Sequence, residues 1–334
     1  MTILVTGGTG FIGAHTVIEL LQKNYNVVIL DNFVNSSPSV IDSIETITGR
    51  KVKLYEGNVC DKILLKKIFN ENTISHVLHF AGLKSVNESI KEPLSYYENN
   101  VQGTLTLVGE IILAGINNII FSSSATVYGI PECIPLTESC SVGNTANPYG
   151  TSKYMSEVML TDIARAYPEL NVTLLRYFNP AGAHNSGLLG ESPKGIPNNL
   201  VPYLTLVAAG ELEYLSVFGN NYPTKDGTGV RDFIHVMDLA AGHLAAIENK
   251  NKKSNLNIYN LGTGKGYSVL ELIHSFEKVT GVKVNYQFCD RRPGDVAECW
   301  SDPSLAQSEL RWRATRTLDD MMVDAWNWAK KNKT

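Results

Sequence analysis

The sequence has no excess of basic residues and no long apolar run. Its 334 residues include 29 lysines and arginines against 33 aspartates and glutamates, a formal net charge of -4. Without a positive field, binding to nucleic acid or to an anionic membrane surface is not expected. The most apolar stretch, Leu105 to Ile116, is interrupted by Glu110 and Gly115, whereas a helix that crosses a bilayer needs about 20 apolar residues. We therefore expect a cytoplasmic protein with neither a nucleic-acid nor a membrane partner.

Cysteine is also scarce, and its spacing shows no pairing. An odd number of cysteines argues against a disulfide framework or a zinc site and fits a reducing compartment. His76 and His79 form an H-x-x-H pattern, but they stand in a segment typical of a strand. We expect two ordinary strand histidines and no metal site. The five cysteines are Cys60, Cys133, Cys140, Cys289 and Cys299.

Short β-branched runs alternate with longer amphipathic stretches over the first 180 residues. Such alternation is typical of a parallel sheet covered by helices on both faces. It predicts an α/β fold with a doubly wound parallel sheet. The predicted strands are Ile3–Thr6, Asn26–Asp31, Lys51–Val59, Ser75–Ala81, Asn118–Ser123 and Val172–Phe178, and the predicted helices are Phe11–Lys23, Asp61–Asn70, Pro93–Ala114 and Pro148–Ala166.

The alternation stops after Asn179, where the chain becomes rich in glycine, proline and asparagine. We predict a dinucleotide-binding domain over residues 1–179 and a smaller C-terminal α/β domain for the substrate over residues 180–334. The segment of about residues 232–262 contains a helix and the strand Asn257–Leu261, and it is a candidate to return to the large sheet.

A glycine-rich loop, G-G-T-G-F-I-G from Gly7 to Gly13, lies between the first predicted strand and the first predicted helix. Glycines there let the backbone approach a pyrophosphate, and the helix N-terminus adds its positive dipole, as in a Rossmann fold. Asp31 follows at the end of the second strand, eighteen residues after Gly13. A carboxylate at that point accepts hydrogen bonds from ribose hydroxyls and repels a 2′-phosphate, which favours NAD over NADP.

Tyr149 and Lys153 stand four residues apart in a predicted helix and therefore share one face of it. A phenol needs a pKa drop of roughly 3 units, or about 4 kcal/mol, to act as a base near pH 7. The Lys153 ammonium and a cationic nicotinamide close by would supply that drop. Taken alone, Y-x-x-x-K is a common accident, and two exposed helix residues are the alternative.

Three serines, Ser122 to Ser124, stand where the fifth predicted strand ends. Ligands of doubly wound sheets bind at the carboxyl ends of strands. The Ser124 hydroxyl is therefore a candidate to bond a substrate oxygen, with ordinary turn chemistry as the alternative.

With these three features in view, the sequence resembles the extended short-chain dehydrogenase/reductases and specifically the UDP-glucose/UDP-galactose 4-epimerases, over nearly its whole length. The blocks that carry the resemblance are His79 to Lys84, Phe121 to Gly129, Leu175 to Pro180, Gly195 to Leu200, Asp226 to Asp232 and Arg291 to Asp295.

The resemblance implies an NAD site built from most of these blocks. One departure is Asn58, where the family usually has aspartate beside the adenine; its amide can still accept a hydrogen bond there. The implied contacts are Gly7, Gly10, Phe11, Ile12 and Gly13 at the pyrophosphate, Asp31, Asn32, Asn35, Ser36, Asn58 and Val59 on the adenosine side, Phe80, Ala81, Gly82 and Lys84 along the dinucleotide, and Asn99, Ser124, Tyr149, Lys153 and Phe178 around the nicotinamide.

The resemblance also implies a UDP-sugar site. Two arginines in it agree with the need for charge-assisted bonds to a diphosphate. The implied residues are Ser124 and Tyr149 again, with Asn179, Asn199, Leu200, Phe218, Arg231, Arg292, Asp295 and Cys299.

The implied activity is an isomerase reaction that interconverts UDP-glucose and UDP-galactose through a transient 4-keto sugar. Tyr149 takes the proton of the sugar 4-hydroxyl, Ser124 bridges that oxygen, and Lys153 supports both. Cys299 stands where family members restricted to these two sugars tend to carry a bulky tyrosine, so we also expect activity on UDP-GlcNAc and UDP-GalNAc. The alternatives are a related enzyme such as a dehydratase, and a non-catalytic NAD-binding sensor. A homodimer is implied, with the helices around residues 93–114 and 148–166 as candidate faces.

Overall fold

The computed structural model describes residues 1–250, 254–292 and 294–332. Pro293, part of the block Arg291 to Asp295, lies outside the described residues. The strands are β1 (Thr2–Thr6), β2 (Asn26–Asp31), β3 (Lys53–Glu56), β4 (Ile74–His79), β5 (Asn118–Ser124), β6 (Asn171–Tyr177), β7 (Asn179–Ala181), β8 (Leu215–Phe218), β9 (Val230–Arg231), β10 (Phe233–His235), β11 (Leu256–Leu261), β12 (Tyr267–Ser268), β13 (Tyr286–Cys289) and β14 (Glu298–Cys299).

The helices cover the sheet and build most of the second half of the chain. They are α1 (Phe11–Gln22), α2 (Ser39–Thr48), α3 (Lys62–Glu71), α4 (Val86–Lys91), α5 (Pro93–Tyr96), α6 (Gly103–Leu113), α7 (Pro148–Ala166), α8 (Leu200–Ala208), α9 (Val236–Glu248), α10 (Val269–Thr280), α11 (Ser304–Glu309) and α12 (Leu318–Lys331), with a π-helical turn over Tyr97–Gln102 and a 3-10 turn over Ala125–Tyr128.

In the described part of the chain, seven parallel strands form one large sheet in the order β11, β6, β5, β4, β1, β2, β3. The predicted doubly wound parallel sheet is confirmed. From β1 the chain first extends the sheet through β2 and β3, and then crosses back to β4. The carboxyl ends of β1 and β4 therefore flank the point where the strand order reverses, which is where such sheets bind ligands.

Helices pack on both faces of this sheet because successive strand residues point to opposite sides. In β1, Ile3 and Val5 join a core on one face, and Leu4 joins a core on the other. The first core includes α1 and α9, which pack against each other, and the second includes α3, α6 and α7. Both faces are thus covered, as strands that are apolar on both sides require.

Two predicted elements differ from the structure. The predicted strand Lys51–Val59 is wrong at its ends, because β3 stops at Glu56. Asn58 instead begins a turn: its side-chain oxygen accepts the Cys60 N–H at 2.8 Å, and Asp61 then caps α3. The predicted helix over residues 93–114 is interrupted by the π-helical turn, a feature that often marks functional sites.

A third core lies away from the large sheet. It collects apolar side chains from α8, β8, α10 and α12, with Leu204, Val217, Phe276 and Met321 fully buried. The same half of the chain also supplies α9, which packs on the large sheet, and β11, which is an edge strand of it. Within the described ranges, no helix is long and apolar enough to cross a membrane.

Candidate active site

The glycine-rich loop after β1 packs directly against the chain that leaves β4. Gly7 has φ 69°, and a Cβ there would lie 2.6 Å from the Ala81 backbone nitrogen. A Cβ on Gly13 would lie 2.2 Å from the Gly7 carbonyl oxygen. A side chain at either position would collide with backbone, so the tight course of the loop requires glycine. The bare backbone leaves the N-terminus of α1 accessible to an anionic group.

Asp31 closes the other side of this loop. Its carboxylate is buried at the end of β2 and accepts the backbone N–H of Thr9 at 3.0 Å and that of Phe33 at 2.9 Å. Ser36 donates its hydroxyl to the same carboxylate at 3.2 Å, and the Thr9 hydroxyl lies 2.7 Å from that of Ser36. Thr9 therefore joins the glycine loop to the acidic residue, a role that the motif did not indicate.

The other residues predicted on the adenosine side lie on loops beside Asp31 and β3. The Asn32 side-chain oxygen accepts the Val34 N–H at 3.1 Å, and Asn35 is exposed. The side-chain oxygen of Asn58 accepts one hydrogen bond, from the Cys60 N–H, as described above. Its second lone pair is available to a ligand. Val59 is buried against the start of α6.

Tyr149 and Ser124 meet where α7 begins over the end of β5. Asn147 caps α7 by accepting the Gly150 N–H at 2.9 Å, which fixes the helix start at Pro148. Burial raises the pKa of Tyr149, and a hydrogen bond with Ser124 opposes part of that rise. The Ser124 hydroxyl also accepts from the Thr126 N–H at 3.2 Å.

Lys153 lies one helical turn beyond Tyr149 and is only 5% exposed. Its ammonium donates to the Ser122 carbonyl at 2.7 Å and lies 4.9 Å from the centre of the Phe121 ring. Burial lowers the pKa of Lys153 to about 8, although the nearby Glu157 carboxylate raises it. Among the chain's own groups, burial outweighs the Ser124 hydrogen bond and the pKa of Tyr149 stays raised. The drop expected from Lys153 together with a cationic nicotinamide stays a prediction.

A buried ion pair that the sequence did not reveal lies behind these residues. Arg176 in β6 donates to both oxygens of Glu157 in α7, at 3.0 and 2.8 Å. Ser123 donates to the same carboxylate at 2.5 Å, and Arg176 also reaches the Tyr128 hydroxyl at 2.9 Å. The pair holds the carboxyl end of β5 between β6 and α7. No motif signals it, because the packing of α7 across β5 and β6 is what brings these residues together.

Several predicted cofactor residues converge near Lys153. A Cβ on Gly82 would lie 3.6 Å from the Lys153 nitrogen and 3.3 Å from the Asn100 side-chain oxygen. Asn100, in the π-helical turn, accepts the Leu83 N–H at 2.8 Å and donates to Ser152 at 3.0 Å. Its neighbour Asn99, the predicted contact, donates to it at 3.1 Å. The predicted residue Phe80 packs on the other side, against the His243 ring.

Lys84 is predicted along the cofactor and Asn199 along the substrate, yet both donate to one carboxylate. Glu191 accepts from Lys84 at 2.7 Å and from Asn199 at 2.8 Å through the same oxygen. Asn199 immediately precedes α8, and Leu200 begins that helix at the edge of the third core. Glu191 is absent from the predicted set, and it links the two predicted halves of the site.

A second acidic bridge joins the two predicted phosphate-binding arginines. Asp295 accepts from Arg231 at 3.0 Å and from Arg292 at 3.0 Å, through different oxygens. The Arg292 guanidinium also lies 4.8 Å from the centre of the half-exposed Phe218 ring. Arg231 belongs to β9 and Arg292 to the loop before β14, so these residues meet through the fold of the second half of the chain.

Cys299 lies in β14, paired in parallel register with Arg231 in β9. Its side chain is half-buried and packs on a small apolar cluster that includes Phe178. Burial raises the pKa of the Cys299 thiol to about 11, so the side chain is a neutral apolar group at pH 7. Asn179 follows Phe178 and is exposed in β7, which pairs with β10.

Across the described ranges, no group of three or more histidine, cysteine, aspartate or glutamate side chains could hold a metal ion. The two strand histidines have other contacts. His79 is buried, with Nδ1 2.7 Å from the Thr6 hydroxyl and Nε2 2.9 Å from the Thr104 hydroxyl.

Known proteins resemble this chain over its full length. A sequence model of the family described as GDP-mannose 4,6 dehydratase matches residues 4–325. A UDP-glucose 4-epimerase of Pasteurella multocida is 60% identical over 99% of this chain and 98% of its own. The chain belongs to the UDP-glucose 4-epimerase family. The resemblance found in the sequence is therefore confirmed, and so is the classification as an isomerase.

Solved structures of the family agree with this assignment. A UDP-glucose 4-epimerase of Bifidobacterium longum, in complex with NAD+ and UDP, is 53% identical, with a TM-score of 0.96 over 99% of each chain. A UDP-Glc/GlcNAc 4-epimerase of Campylobacter jejuni is 36% identical, with a TM-score of 0.86 over 99% of each chain.

The lowered pKa of Lys153 predicts how stability changes with pH. Since this pKa falls from 10.5 to about 8 on folding, the unfolded chain holds more protons at Lys153 between those pH values. The contribution of Lys153 to the free energy of unfolding therefore rises with pH across this window. Relative to Lys153→Met, the wild-type free energy of unfolding should gain up to about 3 kcal/mol.

Urea unfolding of both proteins at a series of pH values measures this difference. Lys66→Met, which removes an exposed lysine from α3, controls for general alkaline effects. A difference between wild type and Lys153→Met that stays constant with pH would refute the burial argument.

Proposed function

We propose that this chain is an NAD-dependent 4-epimerase of UDP-hexoses that uses Tyr149 as its acid and base. The observation that supports this most strongly is the cluster of Tyr149, Ser124 and Lys153 at the carboxyl end of β5. That cluster lies beside the segment that leads from β4 to Gly82, on the same edge of the sheet as the glycine loop. A nucleotide held along this edge would present its reactive ring to the tyrosine.

The residues of the glycine loop fit an NAD molecule. Glycine at Gly7 and Gly13 lets the loop fold closely on its own backbone and on Ala81, and the N-terminus of α1 that follows favours an anionic pyrophosphate. Thr9 and Ser36 hold the Asp31 carboxylate in position. There it would accept hydrogen bonds from ribose hydroxyls and repel a 2′-phosphate. When bound, NAD supplies a hydride acceptor for the sugar carbon and the positive charge of its oxidised nicotinamide ring.

Tyr149 removes the proton of the sugar 4-hydroxyl and later returns it. Because burial raises the pKa of Tyr149, the phenol needs positive charge close to it before it ionises near pH 7. Ser124, already hydrogen-bonded to Tyr149, orients the substrate oxygen. Lys153 anchors α7 to β5 through Ser122 and adds positive charge to the site.

Arg231 and Arg292 hold the diphosphate of the substrate. Asp295 fixes both guanidinium groups in advance, and Phe218 offers an aromatic face beside Arg292. Charge-assisted bonds of this kind anchor the nucleotide strongly. Epimerisation requires the hexose to turn over between two orientations, so tight anchoring of the UDP and loose contacts to the sugar suit this reaction.

The alternative of a dehydratase, which the family description raises, has less support at the catalytic cluster. Elimination needs a further acid or base next to the serine, and Ser124 is followed by Ala125. The buried carboxylate one turn beyond Lys153, Glu157, is already bonded by Arg176 and Ser123. A product assay on UDP-glucose separates the two activities.

We further infer a cytoplasmic homodimer that uses the faces of α5, α6 and α7. These helices carry exposed apolar side chains, at Leu94, Leu105, Leu113, Met155 and Val158. Apolar side chains exposed together on helices often mark an interface. Sedimentation equilibrium should give the mass of two chains; a single-chain mass at micromolar concentration would contradict the dimer.

The close approach at Gly13 predicts the loss of bound NAD in Gly13→Ala. The added methyl would meet the Gly7 carbonyl at 2.2 Å, so the loop must shift. Gly109→Ala is the matched control, because the space around Gly109 in α6 is open to 4 Å. Purified wild type and Gly109→Ala should release NAD on denaturation, and Gly13→Ala should release little. NADP as the main species in wild type would contradict the role of Asp31.

The proposed base predicts that Tyr149→Phe loses at least about 100-fold in kcat. The substitution removes only a hydroxyl, so bound NAD and the unfolding midpoint should stay near those of wild type. Ser124→Ala should lose less, since this hydroxyl orients the oxygen without taking the proton. Near-normal turnover of UDP-galactose by Tyr149→Phe would refute the proposed function.

We also propose that the enzyme accepts N-acetylated UDP-hexoses, with Cys299 at the pocket for the C2 substituent. Cys299 packs beside Phe178, and it is a small neutral side chain where a tyrosine ring would fill the space of an acetamido group. A packed pocket absorbs extra heavy atoms only at a cost of about 1–3 kcal/mol. The Campylobacter jejuni relative, a UDP-Glc/GlcNAc 4-epimerase of the same fold, is consistent with this proposal.

The role of Cys299 is tested by measuring kcat/KM in wild type and in Cys299→Tyr. The substrates are UDP-glucose and UDP-galactose on one side and UDP-GlcNAc and UDP-GalNAc on the other. Cys299→Tyr should lose UDP-GlcNAc activity and keep UDP-glucose activity. A wild-type preference for the plain sugars of more than roughly 1000-fold, beyond the 10–200-fold typical of small pocket differences, would refute the proposal. An unchanged substrate ratio in Cys299→Tyr would refute it too.

A further inference from the structure

Two of the five cysteines lie side by side in the loop that joins the 3-10 turn after β5 to α7. The Sγ atoms of Cys133 and Cys140 are 3.2 Å apart. Cys133 is exposed and Cys140 is half-buried, and both are free thiols. The sequence spacing indicated no pairing, because seven residues separate them and the loop between them has no regular period.

The loop is fixed at several points, so this proximity follows from its anchored course. Near its end, the Gly143 N–H donates to the Val127 carbonyl at 2.9 Å. Midway, Leu136 donates to the Trp300 carbonyl at 2.9 Å, and the Asp302 N–H donates to the Leu136 carbonyl at 2.8 Å. The loop is thus hydrogen-bonded to Trp300 and Asp302, which follow Cys299 at the end of β14.

Both thiols line a cavity of about 300 Å³ that the loop encloses. The cavity is also lined by polar groups, among them Thr137, Ser139 and Asn144. A small polar reagent can therefore reach the two sulfurs from solvent.

The two thiols are chemically unequal. The Thr137 N–H and the Thr137 hydroxyl each lie 3.4 Å from the Cys140 sulfur. Burial raises the pKa of Cys140, but hydrogen bonds from Thr137 and Cys133 outweigh it and the pKa falls below its usual value. The hydrogen bond with Cys140 raises the pKa of Cys133. Cys140 is therefore the better thiolate, and Cys133 is the second thiol beside it.

We propose that Cys133 and Cys140 form a redox-active dithiol, which closes to a reversible disulfide when the protein meets a small disulfide such as oxidised glutathione. The Cys140 thiolate attacks one sulfur of the small disulfide, and the other sulfur leaves as a thiolate. Cys133 then loses its proton to solvent and attacks the Cys140 sulfur, which expels the second small thiolate. Two electrons pass from the protein to the small disulfide, which becomes two thiols.

This site is separate from the proposed catalytic cluster, and the proposal does not depend on the proposed function. Closing the disulfide restrains the loop, which is hydrogen-bonded to the segment after Cys299. Local opening of that loop then becomes rarer, because a cross-link limits the open conformations.

The test is oxidation of the full-length protein with oxidised glutathione, followed by alkylation of free thiols and peptide mass mapping. The expected product is a cross-link between Cys133 and Cys140. The other three cysteines, Cys60, Cys289 and Cys299, should be alkylated. Reduced glutathione should reverse the cross-link. Cys133→Ser should instead leave glutathione attached to Cys140. Cys60→Ser, which changes a half-buried cysteine elsewhere, should keep the cross-link.

Hydrogen exchange of the loop amides gives a second measurement. Oxidised wild type should exchange about tenfold more slowly over this loop than the reduced protein, and Cys133→Ser should show no such change. A cross-link from Cys140 to Cys299, glutathione on both loop cysteines without a cross-link, or unchanged exchange after cross-linking would overturn the proposal.

Discussion

A buried lysine ammonium is the constraint on which the arrangement of this site depends. Removing a charge from water is costly unless hydrogen bonds and opposite charge compensate. Lys153 meets part of that demand with the Ser122 carbonyl at 2.7 Å and the Glu157 carboxylate one turn further along α7, although burial still lowers its pKa. Both partners lie at fixed points of β5 and α7. The compensation therefore holds the helix over the strand end and brings Tyr149 to Ser124.

The same burial sets a condition on the chemistry. Tyr149 is half-buried, and the packing around it raises the pKa of the phenol. In the proposed mechanism, an oxidised nicotinamide beside Tyr149 would add its positive charge to that of Lys153 and so lower the pKa of the phenol. Glu157 has a related role, since Arg176 holds its carboxylate in place and the carboxylate in turn raises the pKa of Lys153.

Acidic bridges recur in the predicted ligand site. Asp295 holds Arg231 and Arg292, and Glu191 holds Lys84 and Asn199. Each bridge fixes long flexible side chains before a ligand arrives, which reduces the entropy lost on binding. None of these carboxylates had a role that a motif alone could assign, except Asp295 through the family resemblance.

The sequence by itself determined the features that depend on local conformation and period. Four such features could be predicted, because each follows from residues near one another in the chain. They are the alternation of strands and helices, the glycine turn before α1, the acidic residue at the end of β2 and the helix face shared by Tyr149 and Lys153. It failed at the end of β3 and at the π-helical turn, where single hydrogen bonds and one inserted residue override the period. Only the tertiary structure decided which side chains meet across elements, such as Arg176 with Glu157, Glu191 with Lys84, and Cys133 with Cys140. The direction of a pKa was also decided there, because burial and neighbouring charge are properties of the packed fold and not of the chain order.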